Sequence, residues 1–270
     1  MTMDGERLRP DSPVAVKVFP SPNHGSRRGR DGEDAPERAP DMLVLHYTGM
    51  ADSGAALKRL CDPTAEVSAH YLVFENGHVL QLVPENRRAW HAGAGGWAGE
   101  TDINSASIGI EIAHPGHEGA GSGPLAAYPD AQIASVIRLA GDVVARWRIP
   151  PQRVLAHSDV APTRKTDPGE TFPWRRLAEA GIGHFVDPAP LRDGRFLAPG
   201  EEGQPVEALQ AMLGLYGYEL PVTGRYDGLT QAVVRAFQRH FRPRQVDGVA
   251  DASTITTLRD LIASQPATIA

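Results

Sequence analysis

The sequence predicts an α/β protein, with a central mixed β-sheet flanked by helices and a small three-helix domain after it. Three observations carry this reading. Short apolar runs alternate with a long amphipathic segment between residues 42 and 157, the pattern of strands and helices in turn. Asn76-Gly77 separates two β-rich runs, the strongest short-range hairpin signal. Past residue 200, three apolar stripes follow one another in short helical pieces.

Residues 1–40 are rich in Pro, Gly and charge and read as an irregular arm, with one short strand around Val14–Phe19. Met42–His46 is a short apolar run ending in a polar residue, a buried strand. Ser53–Leu60 reads as a short helix that starts after Asp52-Ser53 and stops at Cys61-Asp62-Pro63. His70–Phe74 and His78–Val83 form the hairpin, and Ser107–Ile112 is a further strand with an acid near its end. Residues 130–147 form the clearest helix: Ile133, Val136, Ile137, Ala140, Val143, Val144 and Trp147 make one stripe at a 3.6-residue period. Asp130 is expected to cap its start, and Pro150-Pro151 ends it. Arg153–His157 then returns as a short strand. The main domain is thus expected over 41–185, a linker over 186–200 and the three-helix domain over 201–265. In that last part Gly224-x-x-Asp227-x-x-Thr230 recurs as Gly248-x-x-Asp251-x-x-Thr254; each Gly supplies a tight turn and each Asp or Thr can cap the next helix.

The 270 residues fit one large or two modest domains. Lys plus Arg number 27 against 33 Asp plus Glu, a net charge of −6, which argues against sequence-blind nucleic-acid binding. The single cysteine, Cys61, allows no intrachain disulfide and no Cys-rich metal site, and is expected as a buried small apolar residue. No apolar run is long enough for a transmembrane helix. The start lacks the basic region and apolar core of a signal peptide and has no cysteine for lipid attachment. As written, the chain is expected in the cytoplasm, with the cell envelope as the alternative, and as a monomer.

Ionisable residues sit where an α/β sheet gathers its binding groups. His46 and His157 end strands, Glu111 lies near the end of another, and Lys165 and Asp167 follow His157 by eight and ten residues. Two His and one carboxylate, with a fourth position open, make a catalytic zinc sphere. Hydrolysis there also needs a general base, for which Glu111 is the right type, and a cation such as Lys165 for the oxyanion. Spacing alone leaves the bland reading open. The chain has ten His and no HExxH motif, and a lone strand-end His is more often a packed, hydrogen-bonded residue.

The surrounding words narrow the choice. Leu45-His46-Tyr47-Thr48, Ala89-Trp90-His91-Ala92-Gly93, Asn104-x-x-Ser107-Ile108-Gly109-Ile110-Glu111 and His157-Ser158-Asp159 through Asp167-Pro168-Gly169 occur in this order, followed by Phe172-Pro173-Trp174. Together they closely resemble the zinc-dependent N-acetylmuramoyl-L-alanine amidases of type 2, the AmpD/AmiD-like group, over roughly residues 20–180. The resemblance implies Zn2+ held by His46, His157 and Asp167, with Glu111 as general base and Lys165 stabilising the transition state. Asp167 stands where related phage amidases and animal peptidoglycan receptors often carry Cys, which favours the bacterial branch. Trp90, His91 and Asn104 are expected at the substrate groove, Asn104 with a loop-tying role beside it. The other seven histidines are read as structural or exposed. The C-terminal part resembles the peptidoglycan-binding type 1 module through Val206, Leu209-Gln210, Gly217-Tyr218, Gly224-x-Tyr226-Asp227, Phe237-Gln238 and Val246-Asp247-Gly248. The implied activity is hydrolysis of the amide between N-acetylmuramic acid, or its 1,6-anhydro form, and L-alanine in peptidoglycan or muropeptides. The rival is a peptidoglycan-recognition protein that binds without cutting; such relatives typically lose a zinc ligand, and every ligand position is retained here.

Overall fold

The computed structural model describes residues 9–120, 123–194 and 196–265, so the first eight residues of the expected arm lie outside it. In chain order the elements are β1 (Lys17–Val18), β2 (His24–Gly25), β3 (Met42–Tyr47), α1 (Ser53–Cys61), β4 (Tyr71–Val73), β5 (Val79–Gln81), β6 (Arg88–Ala89), α2 (Ile103–Ala106) and β7 (Ser107–Ile112). There follow α3 (Gly116–Ala120), α4 (Asp130–Trp147), β8 (Val154–Ala156), α5 (His157–Val160), α6 (Trp174–Glu179), α7 (Gln204–Tyr216), α8 (Gly228–Phe241) and α9 (Ala252–Ala263).

The six-stranded sheet runs β1-β5-β4-β7-β3-β8. β4 and β5 pair antiparallel through the Asn76-Gly77 turn, and the other neighbours are parallel, so the sheet is mixed. Side chains alternate between its two faces. Leu43, Leu45, Ile108, Ile110, Ile112, Val154 and Ala156 share one core with the α4 stripe. Met42, Val44 and Leu155 face the other way, into a second core. The alternation therefore sends Ser107, Gly109 and Glu111 to that second face, with His46 and His157 beside them.

Two local expectations change. α4 begins after Pro129, whose backbone occupies the cap position; Asp130 lies inside the first turn and pairs with Arg176 at 2.7 Å instead of capping. Cys61 is only half-buried, at the end of α1 beside the Leu60–Leu72–Leu82 cluster. The N-terminal arm is also less loose than its composition suggests. Its strand shrinks to β1, paired with β5, while β2 pairs with β6 and Arg27 is fully buried.

The C-terminal repeat closes as its sequence implies. Asp227 accepts from Thr230 N at 2.9 Å and Asp251 from Thr254 N at 2.7 Å, capping α8 and α9. Gly224 and Gly248 turn at φ of 72° and 75°, where other residues are strained. A glutamine on the preceding helix completes each turn. Gln210 Oε1 accepts from Thr223 N and Gly224 N, and Gln238 Oε1 from Asp247 N and Gly248 N.

This three-helix unit packs directly on the sheet unit. Residues 186–194 and 196 form no helix or strand. Met42, Val44, Trp97, Ile103 and Leu155 nevertheless run on into Val206, Leu209, Phe237 and Leu258 as one core. Trp97 meets Tyr218 edge-on at 4.9 Å, and Ala98 N donates to Gly217 O. A Cβ on Gly217 would stand 2.5 Å from the Trp97 ring, so only glycine permits the contact. Each large apolar side chain buried there contributes about 1.5–3 kcal/mol, enough to hold the unit in place rather than leave it tethered. Buried Asp159 of α5 accepts from Tyr218 Oη at 2.8 Å and approaches His240 Nδ1 at 2.7 Å across the same junction. Tyr218→Phe should therefore lower the unfolding free energy by about 1–3 kcal/mol in urea titrations, because a buried carboxylate loses a donor that nothing replaces.

Candidate metal centre

Register builds the site. His46 of β3 pairs with Glu111 of β7, and Leu45 pairs with Ala156, the residue before His157. Glu111, His46 and His157 thus form one row across three neighbouring strand ends, on the face turned away from α4. Asp167 arrives from the loop after α5, where Ser158 N donates to its carbonyl at 3.0 Å.

Three donor atoms converge. His46 Nδ1 lies 2.8 Å from His157 Nδ1 and 3.1 Å from Asp167 Oδ2, and His157 Nδ1 lies 2.9 Å from the same oxygen. All three residues are buried. His157 Nε2 donates to Ala92 O at 2.9 Å; a carbonyl only accepts, so in the neutral ring Nδ1 is a lone pair aimed at the cluster. Nitrogen, nitrogen and carboxylate oxygen around one point suit a borderline cation such as zinc. Among the described residues this is the one such group.

Electrostatics agree with that use. Burial lowers the His46 imidazole to about 4, with His157 adding to the effect, so the ring is neutral at physiological pH and able to bind metal. Burial alone would raise the Asp167 carboxyl, but His157 and His46, in their protonated forms, hold it below the usual carboxylate range. Glu111 moves the opposite way. Burial, reinforced by the Asp167 charge and eased by Lys165, lifts it well above the usual range. Its Oε2 has no hydrogen-bond partner.

The row opens into a cavity of about 580 Å³ whose lining includes Glu111, His157, Lys165, Asp167, Trp90 and His91. The sequence-predicted residues thus gather at one place, with Asn104 in its loop-tying role and His91 placed differently from expectation. Asn104 does not line the cavity. It is buried, and its Oδ1 accepts from the backbone N–H groups of His91 and Ala92 at 3.0 and 2.8 Å. His91 touches the cavity wall, but its ring lies mainly behind His46, with Nδ1 2.9 Å from His46 Nε2. Sequence reasoning places Arg27 in an entry segment like that of the family but gives no sign of its buried role. Its guanidinium donates to the carbonyls of Glu85, Ser105 and Ser107 and ties down the start of β7. An arginine in a Pro- and Gly-rich arm carries no local signal of burial.

Residues 36–170 match the N-acetylmuramoyl-L-alanine amidase family, and residues 202–258 match a peptidoglycan-binding-domain family. The chain is 43% identical over 225 residues to the N-acetylmuramoyl-L-alanine amidase AmiD of Escherichia coli strain K12, the match covering 79% of each chain. Its structure resembles that of E. coli AmiD in complex with anhydro-N-acetylmuramic acid-L-Ala-D-gamma-Glu-L-Lys. That match has a TM-score of 0.71 and 37% identity, covering 90% of this chain and 99% of the other. It likewise resembles AmpDh3 of Pseudomonas aeruginosa in complex with anhydromuramic pentapeptide, with a TM-score of 0.70 and 31% identity over 99% of this chain and 100% of the other.

The raised Glu111 carboxyl has a consequence in the metal-free protein. Folded, Glu111 keeps its proton after the unfolded chain has lost its own. The stability this gives is complete below the ordinary value of 4.5 and is lost as pH climbs through the raised one. Glu111→Gln cannot titrate, so it should gain stability relative to the parent chain as pH rises through that window. Paired urea titrations across pH without metal measure the difference.

Proposed function

The chain belongs to the N-acetylmuramoyl-L-alanine amidase family, and on that premise we propose that His46, His157 and Asp167 hold a zinc ion, with Glu111 as general base and Lys165 as the oxyanion partner. The enzyme hydrolyses the amide between N-acetylmuramic acid and L-alanine. The observation that carries the site assignment is the convergence of two imidazole Nδ1 atoms and one carboxylate oxygen beside a buried, unpartnered Glu111 oxygen.

When bound, zinc supplies Lewis acidity that acidifies a water and polarises the scissile carbonyl. The Glu111 carboxylate, on the cavity lining, takes the proton of the attacking water and later delivers it to the departing L-alanine nitrogen. Desolvation makes this carboxylate a stronger base than a free glutamate, which brings proton transfer nearer to balance at neutral pH. Lys165, on the cavity wall, offers its ammonium to the negative charge that develops on the carbonyl oxygen. Trp90 lines the same cavity and offers an apolar surface to the sugar or peptide.

We assign residues 41–185 to catalysis and 201–265 to wall binding, joined by 186–200. Substrates of the class bound in the AmiD and AmpDh3 structures, anhydro-muramic peptides, fit this reading, and the second module extends it to polymeric wall. Binding through the second module would keep the docked catalytic cavity close to polymer.

Two variants separate the roles. Glu111→Ala should keep its zinc by elemental analysis yet lose activity by several orders of magnitude; His157→Ala should lose the zinc itself. Mass spectrometry of digests of intact sacculi, muropeptides and anhydro-muropeptides should show free stem peptides with a new L-alanine amine. Activity in Glu111→Ala would remove the assigned base, and normal metal content in His157→Ala would remove the ligand.

A further inference from the structure

A neutral imidazole offers one N–H and one lone pair, so it ligates through Nδ1 only if something holds its proton on Nε2. Both histidines of the centre meet this requirement through the same short loop. For His157 the acceptor is the carbonyl of Ala92, 2.9 Å from Nε2. For His46 the answer lies three bonds away. The carbonyl of Ile103 can only accept, and Ser107 Oγ donates to it at 2.5 Å. Its hydroxyl proton committed, the Ser107 oxygen accepts from His91 Nε2 at 3.1 Å. His91 Nδ1 is then a lone pair and accepts from His46 Nε2 at 2.9 Å, which leaves His46 Nδ1 bare toward His157 and Asp167.

We propose that His91-Ala92 is a tautomer clamp, in which the side chain of one residue and the carbonyl of the next hold both zinc-ligating histidines with their protons on Nε2. Ser107 and Ile103 set its direction, and Asn104 holds it in place. The last role follows from Asn104 Oδ1, which accepts from the N–H groups of both clamp residues. Gly109 makes room: a Cβ there would stand 2.5 Å from the His91 ring. These are positioning residues, acting on substrate only through the metal ligands. Polarity in the clamp is one-way. Reversing it would put a proton on His46 Nδ1, at the point where the cation must sit.

The inference rests on the metal assignment above, and its test separates the two. Metal-free protein labelled with 15N-histidine reports each ring's protonated nitrogen through long-range proton–nitrogen correlations, and zinc affinity is measured on the same samples by competition with a chelator. In the parent chain, His46 and His157 should both carry the proton on Nε2. In Ser107→Ala, His91 Nε2–H loses its acceptor, so the relay reverses. His46 should then show Nδ1–H while His157, clamped by Ala92, stays unchanged, and zinc affinity should fall about 10–100-fold. His91→Asn keeps an acceptor in place of Nδ1 and should hold His46 in the parent tautomer. Finding Nδ1–H on His46 in the parent chain overturns the clamp. So does Ser107→Ala with an unchanged His46, whether zinc binding is kept or weakened, since weakening alone would be a packing effect. Should Ser107→Ala not fold, the parent chain and His91→Asn decide. A parent chain with the predicted tautomers that fails to bind zinc overturns the metal assignment instead.

Discussion

The structure depends on the parallel register of β3 with β7 and β8. Because successive residues of a strand point to opposite faces, pairing His46 with Glu111 and Leu45 with Ala156 does two things at once. It turns Leu43, Leu45, Ile108, Ile110 and Ile112 onto α4, and it turns His46, Glu111 and His157 into one row on the other side. A slip of one residue would bury the imidazoles against α4 and expose the isoleucines. The hydrophobic energy that selects the register therefore also assembles this row.

That row needs a polar floor, and the chain supplies it from distant segments. Arg27 ties the backbone around Glu85, Ser105 and Ser107 from below, with burial as the main cause lowering its guanidinium to about 10. His70 Nδ1 accepts from Gly109 N at 2.9 Å, and Asn104 closes the loop at His91-Ala92. From the opposite side the three-helix unit reaches Asp159, two residues beyond His157, through Tyr218 and His240. Asp159 Oδ2 also accepts from Ala156 N, so α5 is held at its first turn by a carboxylate whose other partners belong to the C-terminal unit. The module matched to peptidoglycan binding is thus part of the wall around α5, and its placement on the sheet is a matter of core packing as much as of linkage.

Much of this was legible in the sequence because periodicity and turn chemistry are local. β7 and α4 lie where the alternation and the 3.6-residue stripe put them, and both Gly-Asp-Thr turns cap their helices through the aspartate. The clustering of His46, His157 and Asp167 followed from motif order, which carries long-range information that composition lacks. What was not legible depends on three-dimensional partners. Nothing near Arg27 announces its bonds to the carbonyls of Glu85, Ser105 and Ser107 or its full burial. His91 read as a substrate contact, since a polar residue in a Gly-rich loop looks the same whether it faces ligand or backbone, whereas the loop-tying reading of Asn104 agrees with its bonds to His91 N and Ala92 N. The docking of the C-terminal unit was hidden for the same reason: Trp97 is far in sequence from Gly217 and Tyr218, and a Pro-rich connector reads as a tether.

Glu111 brings these strands together. Burying a carboxyl costs stability unless it is hydrogen-bonded, and the polar groups around it are well supplied with partners: His46, His91, His70, Asn104, Ser107 and Asp159 all have them. Glu111 Oε2, itself fully buried, does not. A fold that bonds most of the polar groups around it thus leaves a carboxylate of the cavity lining with an unpartnered oxygen. The same desolvation that makes Glu111 costly to bury raises its basicity. The well-bonded floor beneath it supplies the rigidity that lets such a group persist, so the stability of the sheet and the reactivity of the site are two results of one arrangement.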